Sequence, residues 1–368
     1  MKKLSLLLIS LPFLITSQAQ FRKYSNEFLN IGAGARGMAM GGAQTASVND
    51  GTAGYWNPAG LSQIKDFPVL TLQHAEYFAG IGMYEFASLV KPMADNKRVL
   101  GVSFIRFAVD DIPNTLFLVE PDGSVNYGNI TSFTSADYAL LLSVGQKLYD
   151  DENTHLSIGG NAKIIHRKIG KFATAWGFGL DAGLQLRKKN WGFGVMARDV
   201  TTTFNAWSFK FTEREKEVLY LTDNEIPVKS SEITAPRLST GAYRNFRFSE
   251  KISLKAEASL DFTFDGKRNT VISSKAVSID PHAGIELGVN DIFYFRAGVT
   301  NFQRGLSDKD TLNQKKVWIF QPSAGVGIRL KDAVIDYAFS NLANQSEPLY
   351  THIVSLRLNL RKKEKNSN

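Results

Sequence analysis

From about residue 68 onward, apolar and polar side chains alternate in fourteen stretches. They predict strands at roughly 68–77, 80–91, 97–108, 135–149, 154–168, 174–187, 190–200, 236–248, 251–263, 279–288, 291–302, 316–330, 332–341 and 350–361. In one of them Ile252, Leu254, Ala256, Ala258, Leu260 and Phe262 form a continuous apolar face, and Ser253, Lys255, Glu257, Ser259 and Asp261 fall on the other. Residues 178–187 and 354–361 repeat the pattern. The stretches run to about 10–15 residues, against about 5–6 in a soluble sheet. About 9–11 tilted residues cross a bilayer.

The gaps carry a second rhythm. Some are brief, at 92–96, 150–153, 188–189, 249–250, 289–290 and the single Lys331. Others are long, at 109–134, 201–235, 264–278, 303–315 and 342–349. An even number of antiparallel strands with tight turns at one end and long loops at the other is the plan of an outer-membrane β-barrel. On that plan the apolar faces meet lipid. Asp181, Arg187, Arg198, Lys255, Glu257, Asp261, Arg329, Arg357 and Arg361 then face a wet lumen. Phe86, Phe104, Phe107, Trp176, Phe178, Trp191, Phe193, Phe246, Phe248, Phe262, Phe293, Phe295, Trp318 and Phe320 fall towards strand ends and suit interfacial girdles. The predicted fold class is therefore all-β, a 14-stranded antiparallel transmembrane barrel occupying 67–361, with both termini periplasmic and the long loops outside the cell.

Residues 1–19 predict a signal peptide. Lys2 and Lys3 precede the apolar run 4–15, and Ser17-Gln18-Ala19 offers a cleavage site. The chain has no cysteine, which excludes a lipoprotein anchor, disulfides and thiolate metal sites. Its formal charge of +8 comes from dispersed Lys and Arg without an aromatic-interleaved stripe, so nucleic acid is not an expected partner. Residues 362–368 read as a solvated basic tail on the periplasmic side.

Residues 20–66 do not alternate and predict an N-terminal plug. Gly32, Gly34, Gly37, Gly41 and Gly42 allow close backbone approach. Farther on, Gly54, Trp56, Asn57, Pro58, Ala59 and Gly60 are the candidate hatch residues, with Asn57 capping a short helix that has Pro58 at its first position. Gly32-x-Gly34-x-x-Gly37 fits a dinucleotide-binding spacing but lacks the βαβ context that gives it meaning.

The stretch 54–61, Gly-Tyr-Trp-Asn-Pro-Ala-Gly-Leu, resembles the Asn-Pro-Ala hatch of FadL-type outer-membrane transporters. Together with Glu27-Phe28-Leu29-Asn30-Ile31-Gly32 and the Gly-rich run 34–43, it is more similar to the PorV/PorQ branch of FadL-like barrels. That resemblance implies an outer-membrane accessory of the type IX secretion system. Such a protein binds the C-terminal sorting domains of secreted cargo, or tethers a surface-attachment complex, through extracellular loops. Its implied partners are outer-membrane lipid, translocon or attachment-complex proteins, and cargo. The alternative is a FadL-like channel for hydrophobic small molecules, which the charged lumen face disfavours.

The candidate contact residues are apolar ones in the two longest loops: Leu116, Phe117 and Leu118, then Trp207, Phe209 and Phe211. Lid packing over the barrel mouth is the equal alternative for them. No enzymatic activity, cofactor or metal is expected. The five histidines, His74, His155, His166, His282 and His352, lack ligand spacing, and no serine sits in G-x-S-x-G. His155, His166 and Asp181 are the only sensible start for a cross-strand hydrolase.

Overall fold

In the computed structural model the alternation resolves into an inverted protein, apolar outside and polar inside. The structure describes residues 20–21, 25–226, 230–306, 316–341, 343 and 349–361. The signal peptide and basic tail therefore lie outside the described residues, as does most of the loops at 303–315 and 342–349. A two-residue strand, β1 (Gln20–Phe21), comes first, followed by helices α1 (Ala35–Ala39) and α2 (Ala53–Trp56) and a 3-10 turn at Pro58–Gln63. The wall begins with β2 (Val69–Tyr77), β3 (Gly82–Pro92), β4 (Arg98–Asn114), β5 (Thr131–Asp150), β6 (Thr154–Ile169), β7 (Ala173–Lys188) and β8 (Trp191–Arg198). A hairpin of β9 (Thr203–Phe209) and β10 (Ser230–Thr234) carries α3 (Glu213–Leu221). The wall resumes with β11 (Arg237–Arg247) and β12 (Ile252–Thr263), then a short β13 (Ile272–Ser273) and β14 (Ser278–Val289). It ends with β15 (Phe293–Leu306), β16 (Lys316–Arg329), β17 (Ala333–Ser340) and β18 (Thr351–Asn359).

Fourteen of these strands form the wall, each antiparallel to its neighbours, and the pairing of β18 with β2 closes it. The expected strands are all present. What the alternation did not mark is the pair β9 and β10, inside the expected loop 201–235. β7 pairs with β8 along 182–188 and with β9 along 173–178, so β8 and β9 are one strand broken at 199–202. Asp199 and Thr202 carry the break with φ of 54° and 58°, a conformation L side chains adopt reluctantly. β10 and β11 are likewise one strand, interrupted at Pro236, which has no N–H for the ladder.

Above that interruption the wall parts. β12 pairs with β11 but not with β10, whose free edge instead takes β1 in parallel, Gln20 opposite Glu232 and Phe21 opposite Ile233. Asn26 donates to Thr234 Oγ1 (2.9 Å), and Glu27 pairs with Arg268 (3.1 Å) in the strand connection beyond. Gln20 and Phe21 thus lie in the long-loop half of the wall, away from the short-turn rim. Arg361, paired with Asp332 (2.5 Å), is at that rim.

Burial follows parity. On β7 Trp176 and Phe178 are 60% and 54% exposed, whereas Asp181 and Gln185 on the other face are 6% and 1% exposed. Lys163, Glu257 and Arg296 are also buried inside. Such a surface is stable only where lipid replaces water around it. Two expected girdle residues are corrected: Phe86 and its neighbour Phe107 on β4 point inward. The Phe86 strand puts Met83, Glu85 and Ala87 outside, while Tyr84 and Phe86 join the inner core with Tyr55 and Leu29.

Candidate functional site

Residues 25–67 cross the lumen. α1 packs on β15–β18, and the 3-10 turn Pro58–Gln63 packs on β4–β7 across the barrel. Strand glycines on the inner face make room for it. A Cβ at Gly145 would sit 2.7 Å from the Pro58 carbonyl oxygen, and one at Gly159, Gly194, Gly284 or Gly298 would strike the segment's backbone still more closely. Only glycine allows two backbones this near.

All six candidate hatch residues are buried at this contact. Asn57 is the hub. Its Oδ1 accepts from Ala59 N–H (3.2 Å), capping the turn with Pro58 at its first position. Its Nδ2 shares two hydrogens among the carbonyls of Thr45 (2.9 Å), Leu184 (3.1 Å) and Val195 (3.3 Å). Trp56 Nε1 donates to Ala33 O (2.7 Å), and Asn161 of β6 donates to Gly54 O (2.7 Å). Gly60 lies against Val48, and Pro58 and Ala59 lie against Gly159.

A charged clamp holds the α1 side. Arg36 meets Glu286 of β14 through two bonds, 2.8 and 3.1 Å. Glu286 also accepts from Arg296 (2.7 Å), which reaches Asp336 (2.7 Å), and Lys255 stands 3.7 Å away. Asp50 takes Arg357 (3.4 Å) and Arg36 (3.7 Å). No sequence signal pairs Arg36 with a residue 250 positions away.

Two cavities flank the segment, and no residue lines both. The one at the short-turn end holds about 740 Å³, and half of the residues lining it are charged. The one at the long-loop end holds about 490 Å³, with Ile31, Met38, Trp56 and Tyr77 beside Arg198, Arg237, Asp261 and His282. His282 ties the segment to the wall there, with Nδ1 3.0 Å from Gly41 O and Nε2 3.1 Å from Asp261.

The described parts of loops 109–134 and 201–235 fold against each other into a cap. The six contact candidates are partly or wholly covered within it. Phe117, flanked by half-buried Leu116 and Leu118, lies under Arg214 of α3 (4.7 Å). Trp207 stacks on Phe209 (6.2 Å) beneath Arg167 (5.2 Å), and Phe211 stacks on Phe172 (6.0 Å). Different residues are open at the tips: Tyr127, Tyr220 and Leu221 are 75%, 78% and 74% exposed, and Val119 and Val125 flank them in exposure. The signal for the valines was Pro121-Asp122-Gly123 between them, a hairpin turn that bridges the two. α3 starts on a capping box, Thr212 with Glu215, and Glu215 also meets Lys171 (2.9 Å).

The hydrolase-like trio does not assemble. His155 sits at the short-turn rim beside Asp150, His166 lies outside against Trp176 (4.3 Å), and Asp181 holds Lys163 in the lumen (2.7 Å). Among the described residues no group of three His, Cys, Asp or Glu is placed to hold a metal.

No family model matches the chain, and no curated protein does. Solved structures with the same fold do. The CymD monoaromatic hydrocarbon channel superposes with a TM-score of 0.55 at 12% identity, over 90% of this chain and 98% of that one. The Pseudomonas putida toluene transporter TodX gives 0.53 at 15%, over 89% and 98%. A Pseudomonas aeruginosa FadL homologue gives 0.51 at 13%, over 88% and 97%. The chain has the fold of these FadL-type barrels, fourteen antiparallel strands closed around an N-terminal helical segment.

Proposed function

We propose that this barrel works by binding protein at its long-loop end while the N-terminal segment keeps the lumen shut, as in the type IX secretion accessories it resembles. The observation that carries the reading is the folded cap with Tyr127, Tyr220 and Leu221 bare at its tips. Exposed aromatic and leucine side chains on a folded scaffold suit recognition of a folded partner, and a structured cap limits the entropy lost on binding. The short-turn end then faces the periplasm. The Leu116–Leu118 and Trp207–Phe211 stretches support the tips from below. The partners are translocon or attachment-complex proteins and cargo bearing a C-terminal sorting domain.

A second reading is uptake of hydrophobic small molecules. It is supported by the shared fold with two channels named for hydrocarbon or toluene passage, and by the apolar side of the long-loop cavity. Against it stand the ionisable groups on the rest of that cavity and the clamp below it. The test is gentle solubilisation of the native outer membrane with tagged protein, beside a variant carrying Tyr127→Ser, Tyr220→Ser and Leu221→Ser. Co-purification of translocon components or sorting-domain proteins, lost in the variant, is the expected result. Recovery of the barrel alone, together with toluene accumulation that depends on it, would overturn the reading in favour of uptake.

A further inference from the structure

We infer that the short-turn cavity is a binding site for a small multivalent oxyanion, a phosphate- or carboxylate-bearing molecule with at least two negative charges. Its lining holds ten Lys or Arg side chains against five carboxylates. The inner carboxylates are already committed: Glu286 and Asp336 to Arg36 and Arg296, and Asp50 to Arg357 and Arg36. The surplus is therefore local and not an average over distant pairs. Among the described residues, no carboxylate lies within ion-pair distance of Lys65, Arg247, Lys251 or Arg329, and Lys255 has only a long 3.7 Å contact to Glu286.

Arg329 is positioned for a ligand. Its guanidinium lies over the Tyr294 ring at 5.1 Å, with Arg296 over the same ring at 5.3 Å. A stacked guanidinium keeps its N–H edge free for a bidentate oxyanion. The surroundings strengthen the effect. The barrel wall and the luminal segment both line the cavity, and low-dielectric walls that carry a surplus of one charge focus the field at its mouth. At about 740 Å³ it fits one drug-sized molecule. Apolar side chains such as Ile64, Val69, Phe246 and Leu254 also line it, but half of the lining residues are charged, so a neutral apolar guest gains little there.

The proposal is independent of the protein-binding reading, because it concerns the opposite end of the barrel. Tripolyphosphate titrated into the full-length, detergent-purified barrel at low ionic strength tests it by calorimetry, with folding of each variant checked by heat-modifiable migration. One saturable site per barrel is expected. Affinity should fall at least tenfold in an Arg247→Ala/Arg329→Ala double variant. It should be unchanged when Lys188→Ala and Lys189→Ala remove two charges from a neighbouring turn outside the lining. Absence of a saturable site, or equal losses in the two double variants, overturns the site and leaves only a diffuse basic rim. Should the arginine pair be needed for folding, Arg329→Gln alone decides: a threefold or larger loss supports the site, and an unchanged affinity overturns it.

Discussion

Glu286→Ala should loosen the α1 end of the luminal segment while leaving the wall intact. The carboxylate is the one anion shared by Arg36 of the segment and Arg296 of the wall, with Lys255 3.7 Å off. Removing one partner of a buried ion pair costs about 3–5 kcal/mol, because the partner left behind is an uncompensated charge. The side chains of Arg36 and Glu286 are 12% and 10% exposed to the water-filled cavity, so the lower figure applies. About 3 kcal/mol is a factor of roughly 150 in an opening equilibrium. The assay is hydrogen exchange at the amides of Met38, Met40 and Gly42, which bond Gly34 O and Gly37 O inside α1 and its exit. Their protection should fall by about two decades relative to β5 and β6. Arg36→Ala with Glu286→Ala should cost less than the sum of the single changes, since the two groups act on each other. Unchanged protection at these amides in the single variant would refute the clamp and leave packing alone to hold the segment.

Gly159→Val should drive a Cβ into the Pro58 backbone and cost about 1–3 kcal/mol of overpacking. Gly160→Val beside it meets nothing nearer than Asp181 O at 3.4 Å and should cost little, and the folded fraction on heat-modifiable gels separates the two. In the cap, burial raises the Glu215 carboxyl, but the Thr212 N–H and Lys171 outweigh it and hold the group below its ordinary range. A depressed folded value means its support for α3 is full above about pH 4.3 and is lost as pH falls through the lower folded value. Acid should therefore unlock α3, read as a change in Trp207 fluorescence. The transition should disappear in Glu215→Gln; an identical acid midpoint in that variant would refute the assignment.

How much of this was legible along the chain depends on the distance over which each signal acts. Alternation is local, so every wall strand that keeps its parity was readable. β9 was not. Its seven residues put Thr203, Asn205 and Trp207 inside and Phe204, Ala206 and Ser208 outside, a contrast too weak to stand out after a break at Asp199 and Thr202. Phe86 failed for a related reason. A girdle assignment assumes that aromatics face lipid, yet on β3 the inner face is the aromatic one, because the luminal segment brings an apolar core of its own to meet it. The clamp was illegible in principle, since Arg36 and Glu286 find each other only after the barrel closes.

One signal was present and went unused. Several strand glycines fall on the polar face: Gly159 shares it with Asn161 and Lys163, Gly183 with Asp181 and Gln185, and Gly284 with Glu286. A glycine weakens a strand, and on a lumen face that merely meets water nothing repays that loss. Glycines there make sense only if something solid presses against the wall. The Cβ positions confirm the pressure: Gly145 and Gly159 meet Pro58, Gly183 meets Asn57, Gly194 meets Thr45, and Gly284 meets Met40. Glycine on the charged parity of a membrane strand therefore marks where an internal segment docks. The same rule separates this barrel from an open pore of equal strand number, whose inner face would keep its side chains.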